Sequence, residues 1–114
     1  MKFIPLETKD QLEEIKRAKG VNVIFIHNTT CPISRGVKGQ LELEGDVMRE
    51  VKAIYMIDLH ANRDLSDGVA EQFKVEHESP QLLLIKDGSC NYHKEHYEIL
   101  PENIAEAVRS NMQN

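Results

Sequence analysis

Among the side chains that could act as a nucleophile near neutral pH, Cys31 has the most telling context. It follows an apolar run, Val21–Ile26, and a short polar loop, His27-Asn28-Thr29-Thr30, and it immediately precedes Pro32. Proline is favoured at the first position of a helix, so Cys31 stands where a helix should begin. A helix N-terminus presents unpaired backbone N–H groups and about half a positive charge. Both favour the thiolate, which is the attacking form of cysteine. Thr29, Thr30 and Ser34 add hydroxyls whose spacing could bring them to the sulfur. The run Cys31-Pro32-Ile33-Ser34 is a C-x-x-S, the frame of a redox dithiol with serine in the resolving place. Such a site can attack a disulfide and hold a mixed disulfide, but it cannot close the usual bond within the motif. The competing reading makes Cys31 a small buried hydrophobe. A polar loop on one side and a helix start on the other favour reactivity.

Four further features need weighing. Ser79-Pro80 precedes an apolar strand. Only about 5–6% of X-Pro bonds are cis in folded proteins, so by itself the pair reads as trans. In a fold that sets this bond opposite the active cysteine, that judgement reverses in favour of cis. Ser79 would then offer backbone groups to an extended substrate, a short β-augmentation. Cys90, the second of two cysteines, could resolve a mixed disulfide on Cys31. It lies just past a turn, away from the expected helix tip, and bridged Cα atoms must come within about 7 Å, so a structural role is favoured. Cys90, His93 and His96 invite a zinc site, yet strand alternation would put residues 90 and 96 on one face and 93 on the other, so no metal is expected. His27 could support the thiolate as an imidazolium, although a solvated strand terminus is the commoner role.

The elements that must position these residues are legible. Thr8 and Gln11 make a capping box, with Leu12 and Ile15 as an apolar stripe and Gly20 as a stop. Val21–Ile26 is apolar on both faces and suits a buried parallel strand. After Pro32, apolar residues keep helical spacing as far as Val51. Gly36, Gly39 and Gly45 each cost about 1 kcal/mol inside a helix, so a kinked or short helix is expected. Ala53–Leu59 reads as a second strand and residues 64–74 as a helix. Gln81–Lys86 is a third strand, turned by Asp87-Gly88 into an antiparallel partner from Cys90 to Tyr97. Pro101 opens the last helix. Parallel strands followed by an antiparallel hairpin, flanked by helices, describe a thioredoxin-like α/β fold with a mixed sheet.

Composition narrows the field. The 114 residues suit one domain, 1–114, and 40% of them are apolar. Fourteen basic against nineteen acidic residues give a net charge of −5, which argues against a nucleic-acid surface. No apolar stretch reaches membrane-spanning length and no leader is evident, so a cytoplasmic protein is expected.

Three segments then carry a resemblance: Thr29-Thr30-Cys31-Pro32-Ile33-Ser34, Arg63-Asp64-Leu65-Ser66 and His77-Glu78-Ser79-Pro80-Gln81. In this order they resemble the YtxJ-type monothiol bacilliredoxins. The resemblance implies a thioredoxin-like fold and cytoplasmic thiol–disulfide exchange. It implies removal of bacillithiol, a glucosamine–malate–cysteine thiol, from S-bacillithiolated client proteins. Cys31 would be the attacking thiol, Pro80 the cis proline opposite it, and Ser34 the replacement for a second cysteine. Bacillithiol would be a co-substrate rather than a bound cofactor, and a second thiol or reducing partner would regenerate Cys31. Arg35 is the nearest candidate to contact the malate carboxylates. Two other readings stay open: an iron–sulfur carrier in the style of the monothiol glutaredoxins, and a redox-inert binding module.

Overall fold

The computed structural model describes residues 1–112. A five-stranded sheet in the order β1-β3-β2-β4-β5 lies between two helical layers. Its strands are β1 (Lys2–Pro5), β2 (Val21–His27), β3 (Ala53–Asp58), β4 (Gln81–Lys86) and β5 (Ser89–Glu95). β1, β3 and β2 run parallel, and β4 and β5 are antiparallel additions. The helices are α1 (Lys9–Arg17), α2 (Pro32–Leu43), α3 (Arg63–Phe73) and α4 (Pro101–Met112). This is the expected thioredoxin-like α/β arrangement, with β1 as an addition. β1 is four residues long, carries Lys2 and ends on Pro5, as befits an edge strand with too little apolar alternation to stand out.

Strand alternation divides the core into two layers. Val23, Phe25, Ile54, Leu82 and Leu84 point to one face, where α2 supplies Val37 and Leu41 and α4 supplies Ile104 and Val108. Ile24, Ile26, Ile57, Leu83 and Ile85 point to the other, against Leu12 and Ile15 of α1 and Leu65, Val69 and Phe73 of α3. β2 and β4 are the central strands, and their near-continuous apolar sequence reflects burial on both sides. Truncating a side chain such as Phe25, fully buried between these layers, would cost about 3–5 kcal/mol.

Of the two expectations for the helix after Cys31, the short one holds and no break falls at its glycines. It runs unbroken through Gly36 and Gly39, both of which face open space, and stops at Leu43. Val37 and Leu41 on its inner face supply the packing that offsets two weak helix formers. Met48 and Val51 do not extend it; they reach the core from a series of tight turns over residues 44–51.

The Asp87-Gly88 turn is as its residues predict, with both in positive φ (49° and 85°). Its position is fixed further. Asp87 Oδ1 accepts the Gly20 N–H at 2.7 Å, and a Cβ on Gly88 would lie 2.5 Å from the Lys16 carbonyl oxygen. Glycine is required there by both conformation and close approach. The strand that follows ends at Glu95, after which the chain makes a 3₁₀ turn, His96–Glu98.

Candidate active site

The parallel strands β2 and β3 end side by side, His27 in register with Asp58. The loops that leave this edge carry Cys31 and His60. Such loops, at the carboxyl ends of parallel strands, are where α/β sheets place their sites. Cys31 is the N-cap residue of α2, half-buried, with extended backbone (φ −95°, ψ 119°) and a free thiol that makes no capping hydrogen bond. Pro32 follows at the first helical position and is exposed. The N–H groups of Ile33 and Ser34, in the first turn, have no intrahelical acceptor by helix geometry and lie beside the sulfur-bearing residue. Ile33 is partly buried against the layer between the sheet and α2.

The loop before Cys31 is organised by Asn28. Its carbonyl accepts the Cys31 N–H at 3.1 Å. Its side-chain oxygen accepts the Thr30 N–H at 3.1 Å and the Thr30 hydroxyl at 2.9 Å, and it lies 2.8 Å from His60 Nε2. The same His60 nitrogen lies 3.1 Å from Thr30 Oγ1. Arg35 folds back over this loop, its Nη1 donating to the Thr29 carbonyl at 3.2 Å.

Ser34 is fully buried, and its hydroxyl is engaged beneath the helix rather than toward the thiol. Its oxygen accepts the Asn28 N–H at 2.9 Å and lies 2.7 Å from His27 Nδ1. Burial above all, then the nearby Lys38 ammonium, push the His27 pKa below its ordinary value, with Asp58 pulling the other way. A neutral His27 leaves Nδ1 free to accept the Ser34 hydroxyl proton. Three sequence expectations change here. His27 is neither an imidazolium partner of the thiolate nor a solvated terminus: it is buried and stacked on Phe25 with ring centres 5.7 Å apart. The Ser34 and Thr30 hydroxyls, expected at the sulfur, are held by His27, Asn28 and His60.

The Ser79–Pro80 bond is cis. Because Ile26 pairs with Gln81, Pro80 stands alongside the end of β2, at the edge from which the Cys31 loop departs. Pro80 is itself buried, and its carbonyl accepts the His96 N–H at 3.0 Å, so the half-buried Ser79 is the member of the pair with backbone to offer. The loop is anchored on both sides. His77 Nε2 lies 2.8 Å from the hydroxyl of the fully buried Ser66 on α3, and Gln81 Nε2 donates to the Glu76 carbonyl at 2.9 Å. The second and third segments that carried the resemblance are thus joined by a side-chain hydrogen bond, and the first lies beside the third.

Cys90 is brought nowhere near this edge. It pairs with Ile85, which pairs with Asn22, five residues before the end of β2. At about 3.4 Å per residue that is roughly 17 Å of strand, far beyond disulfide reach. Its thiol donates to the Tyr92 carbonyl at 3.4 Å, and burial raises its pKa. The zinc geometry also departs from expectation. A register shift between Leu84 and Ile85 leaves Asn91 without a partner and turns Cys90 and His93 to the same face, while His96 has left the strand. His93 is taken by Glu95 at 2.7 Å, and no group of three metal-ligating side chains forms among the described residues.

Two grooves of about 470 Å³ each lie away from Cys31. One is at the opposite end of the sheet, around Val21, Lys52 and Lys86, and the other is between α1 and α3. Neither includes the half-buried Cys31 in its lining. Sequence reasoning missed Asn28 and His60. An asparagine two residues before a threonine is a loop-turn signal that was there to be used; the pairing with His60, thirty-two residues on, had no local trace.

Comparison with known proteins agrees with this geometry. The family model for the monothiol bacilliredoxin BrxC matches residues 4–104. A solved structure described as a candidate oxidoreductase with a thioredoxin fold is 30% identical, covers 92% of each chain and superposes with a TM-score of 0.80. A thioredoxin variant of Halobacterium salinarum is 15% identical over 96% of this chain and 90% of its own, with a TM-score of 0.72. Thioredoxin of Trypanosoma brucei brucei is 12% identical over 98% and 92%, with a TM-score of 0.74. The last two speak to the fold. With the match spanning nearly the whole chain and a lone cysteine at the head of α2, this protein belongs to the monothiol bacilliredoxin family, thiol–disulfide oxidoreductases built on the thioredoxin fold.

Proposed function

We propose that the protein removes a low-molecular-weight thiol, bacillithiol, from mixed disulfides on client proteins, with Cys31 as its one reacting residue. The observation that carries the reading is the pairing of a half-buried Cys31 at the N-cap of α2 with a Ser34 locked beneath it. The first position invites nucleophilic attack, and the second removes any internal means of resolving the product.

The Cys31 thiolate attacks the sulfur contributed by the small thiol. The client–small-thiol S–S bond breaks, its electron pair leaves with the client sulfur as a thiolate, and a Cys31–small-thiol disulfide forms. A second thiolate, from another small thiol or a reducing partner, then attacks that disulfide. Cys31 leaves as the thiolate, and the small thiol departs in a new disulfide with the second thiol, so no net oxidant is needed. Ser79 supports the reading as a backbone docking edge for the client, and Arg35 as a contact for the small thiol's carboxylates. The cytoplasm is the compartment in which such exchange fits a protein whose described helices are all too short and polar to cross a membrane.

The test is release of a peptide thiol from an S-bacillithiolated peptide, with excess bacillithiol as the second thiol. Wild type and Cys90→Ser should turn over at similar rates, and Cys31→Ser should be inactive. Residual turnover by Cys31→Ser, or loss of activity in Cys90→Ser, would reject this assignment.

A further inference from the structure

We propose that the client-facing flank of the site selects segments carrying a basic side chain, an inference that rests on reading Ser79 as the client-docking edge. Two chain segments form this flank. The first is Glu76-His77-Glu78-Ser79-Pro80 and the second is Glu95-His96-Tyr97-Glu98; together they hold four carboxylates and no lysine or arginine. They are tied to one another, His96 N–H to the Pro80 carbonyl at 3.0 Å and His96 Nε2 to Glu78 Oε1 at 3.8 Å. His96 is held at a φ of 54°, in the left-handed region that side chains other than glycine rarely occupy. The 3₁₀ turn it opens packs against α2, the helix that Cys31 heads.

Tyr97 is presented by that turn with 73% of its surface exposed, the most open aromatic side chain of the described residues. The Glu95 carboxylate is taken by Gln81 and His93, which leaves Glu76 and Glu98 to face solvent or a partner, with the Glu78 side chain, 3.8 Å from His96 Nε2, still 40% exposed. Lys94, the cation nearest in sequence, lies over the Tyr92 ring at 5.9 Å. The free cation closest to Cys31 in sequence, Arg35, lies back over the Thr29–Cys31 loop instead. An exposed tyrosine among carboxylates is a receptor for guanidinium or ammonium, through cation–π contact and ion pairing. Charge is therefore divided across the site: the Arg35 flank suits an acidic small thiol, and the Glu78–Tyr97 flank suits a basic client.

The experiment uses two peptides that differ only in arginine or glutamate beside one cysteine, each carrying that cysteine as a disulfide with thionitrobenzoate. Attack by Cys31 on the peptide sulfur breaks the S–S bond, forms a Cys31–peptide disulfide and releases the coloured thionitrobenzoate thiolate, the better leaving group. Each rate is divided by that of the same peptide with N-acetylcysteine, which removes the peptide's own electrostatic effect. Wild type should favour the arginine peptide by about fivefold at low salt and by less at 0.5 M salt, as exposed charge pairs are screened. Glu78→Gln/Glu98→Gln and Tyr97→Ala should each reduce the preference toward unity while reacting normally with the neutral hydroxyethyl disulfide. Equal rates for the two wild-type peptides, or a preference unchanged in both variants, would overturn the proposal even if bacillithiol is removed as proposed. A preference seen here with no activity on bacillithiolated peptides would uphold this flank and reject the small thiol.

Discussion

Replacing Ser34 with alanine probes the clamp under Cys31 directly. The hydroxyl serves two groups at once, the Asn28 N–H at 2.9 Å and His27 Nδ1 at 2.7 Å, in a position with no solvent exposure. A buried polar group left without its partner costs about 1–3 kcal/mol. His27 is buried and bears that cost in full, whereas the half-buried Asn28 recovers part of it from water. The sum is about 2–3 kcal/mol. For a chain of this length each kcal/mol lowers Tm by roughly 4 °C, so a drop of about 8–12 °C is expected. Urea unfolding should give the same free energy with an unchanged slope. A second arm separates the bond from the cavity: in His27→Leu/Ser34→Ala both partners go, and the double variant should lose less than the sum of the singles by about 1 kcal/mol or more. Stability of Ser34→Ala within about 0.5 kcal/mol of wild type, a change typical of an ordinary surface substitution, would refute the clamp.

Other outcomes follow from the same structure. With His27 neutral in the fold, stability is full above about pH 6.5 and declines as pH falls below it, because the unfolded chain takes up a proton that the folded one resists, at up to ~1.4 kcal/mol per pH unit. His27→Gln should flatten that portion of the curve, and identical curves for the two proteins between pH 7 and 5 would contradict the buried neutral imidazole. Arg35→Glu should slow reaction with bacillithiol disulfide several-fold more than with a neutral disulfide such as hydroxyethyl disulfide; equal slowing would remove the guanidinium from small-thiol recognition. Gly36→Ala and Gly39→Ala, on the open face of α2, should each raise stability by about 0.5–1 kcal/mol in chemical denaturation. A loss at either would mean that the helix needs its glycines.

What the sequence made legible was what local chemistry decides. Val21–Ile26 and Gln81–Lys86 announced inner strands because burial on both faces leaves few polar positions. Asp87-Gly88 announced the hairpin because few residues accept two positive φ angles, and Cys31-Pro32 announced a helix start. The rest depended on contacts distant in sequence. β1 gains strand character only by pairing with β3, and the register shift opposite Ile85, which reverses the facing of Cys90 relative to His93, is set by packing of the hairpin. Glycine content pointed to a kinked or short α2; it is short, ending at Leu43, but Val37 and Leu41 against the sheet keep it continuous through Gly36 and Gly39. At the site, residue types revealed the nucleophile and its missing partner. They did not reveal that Ser34 turns inward to His27, or that Asn28 and His60 hold the loop.

The central claim concerns one sulfur and one small thiol, and intact-protein mass after mixing Cys90→Ser with bacillithiol disulfide tests it most directly. A single bacillithiol adduct, mapped to Cys31, is expected, and a reducing dithiol should remove it with recovery of the free thiol. A protein that gains no adduct, while glutathione disulfide or another small disulfide modifies Cys31 readily, would contradict the claim.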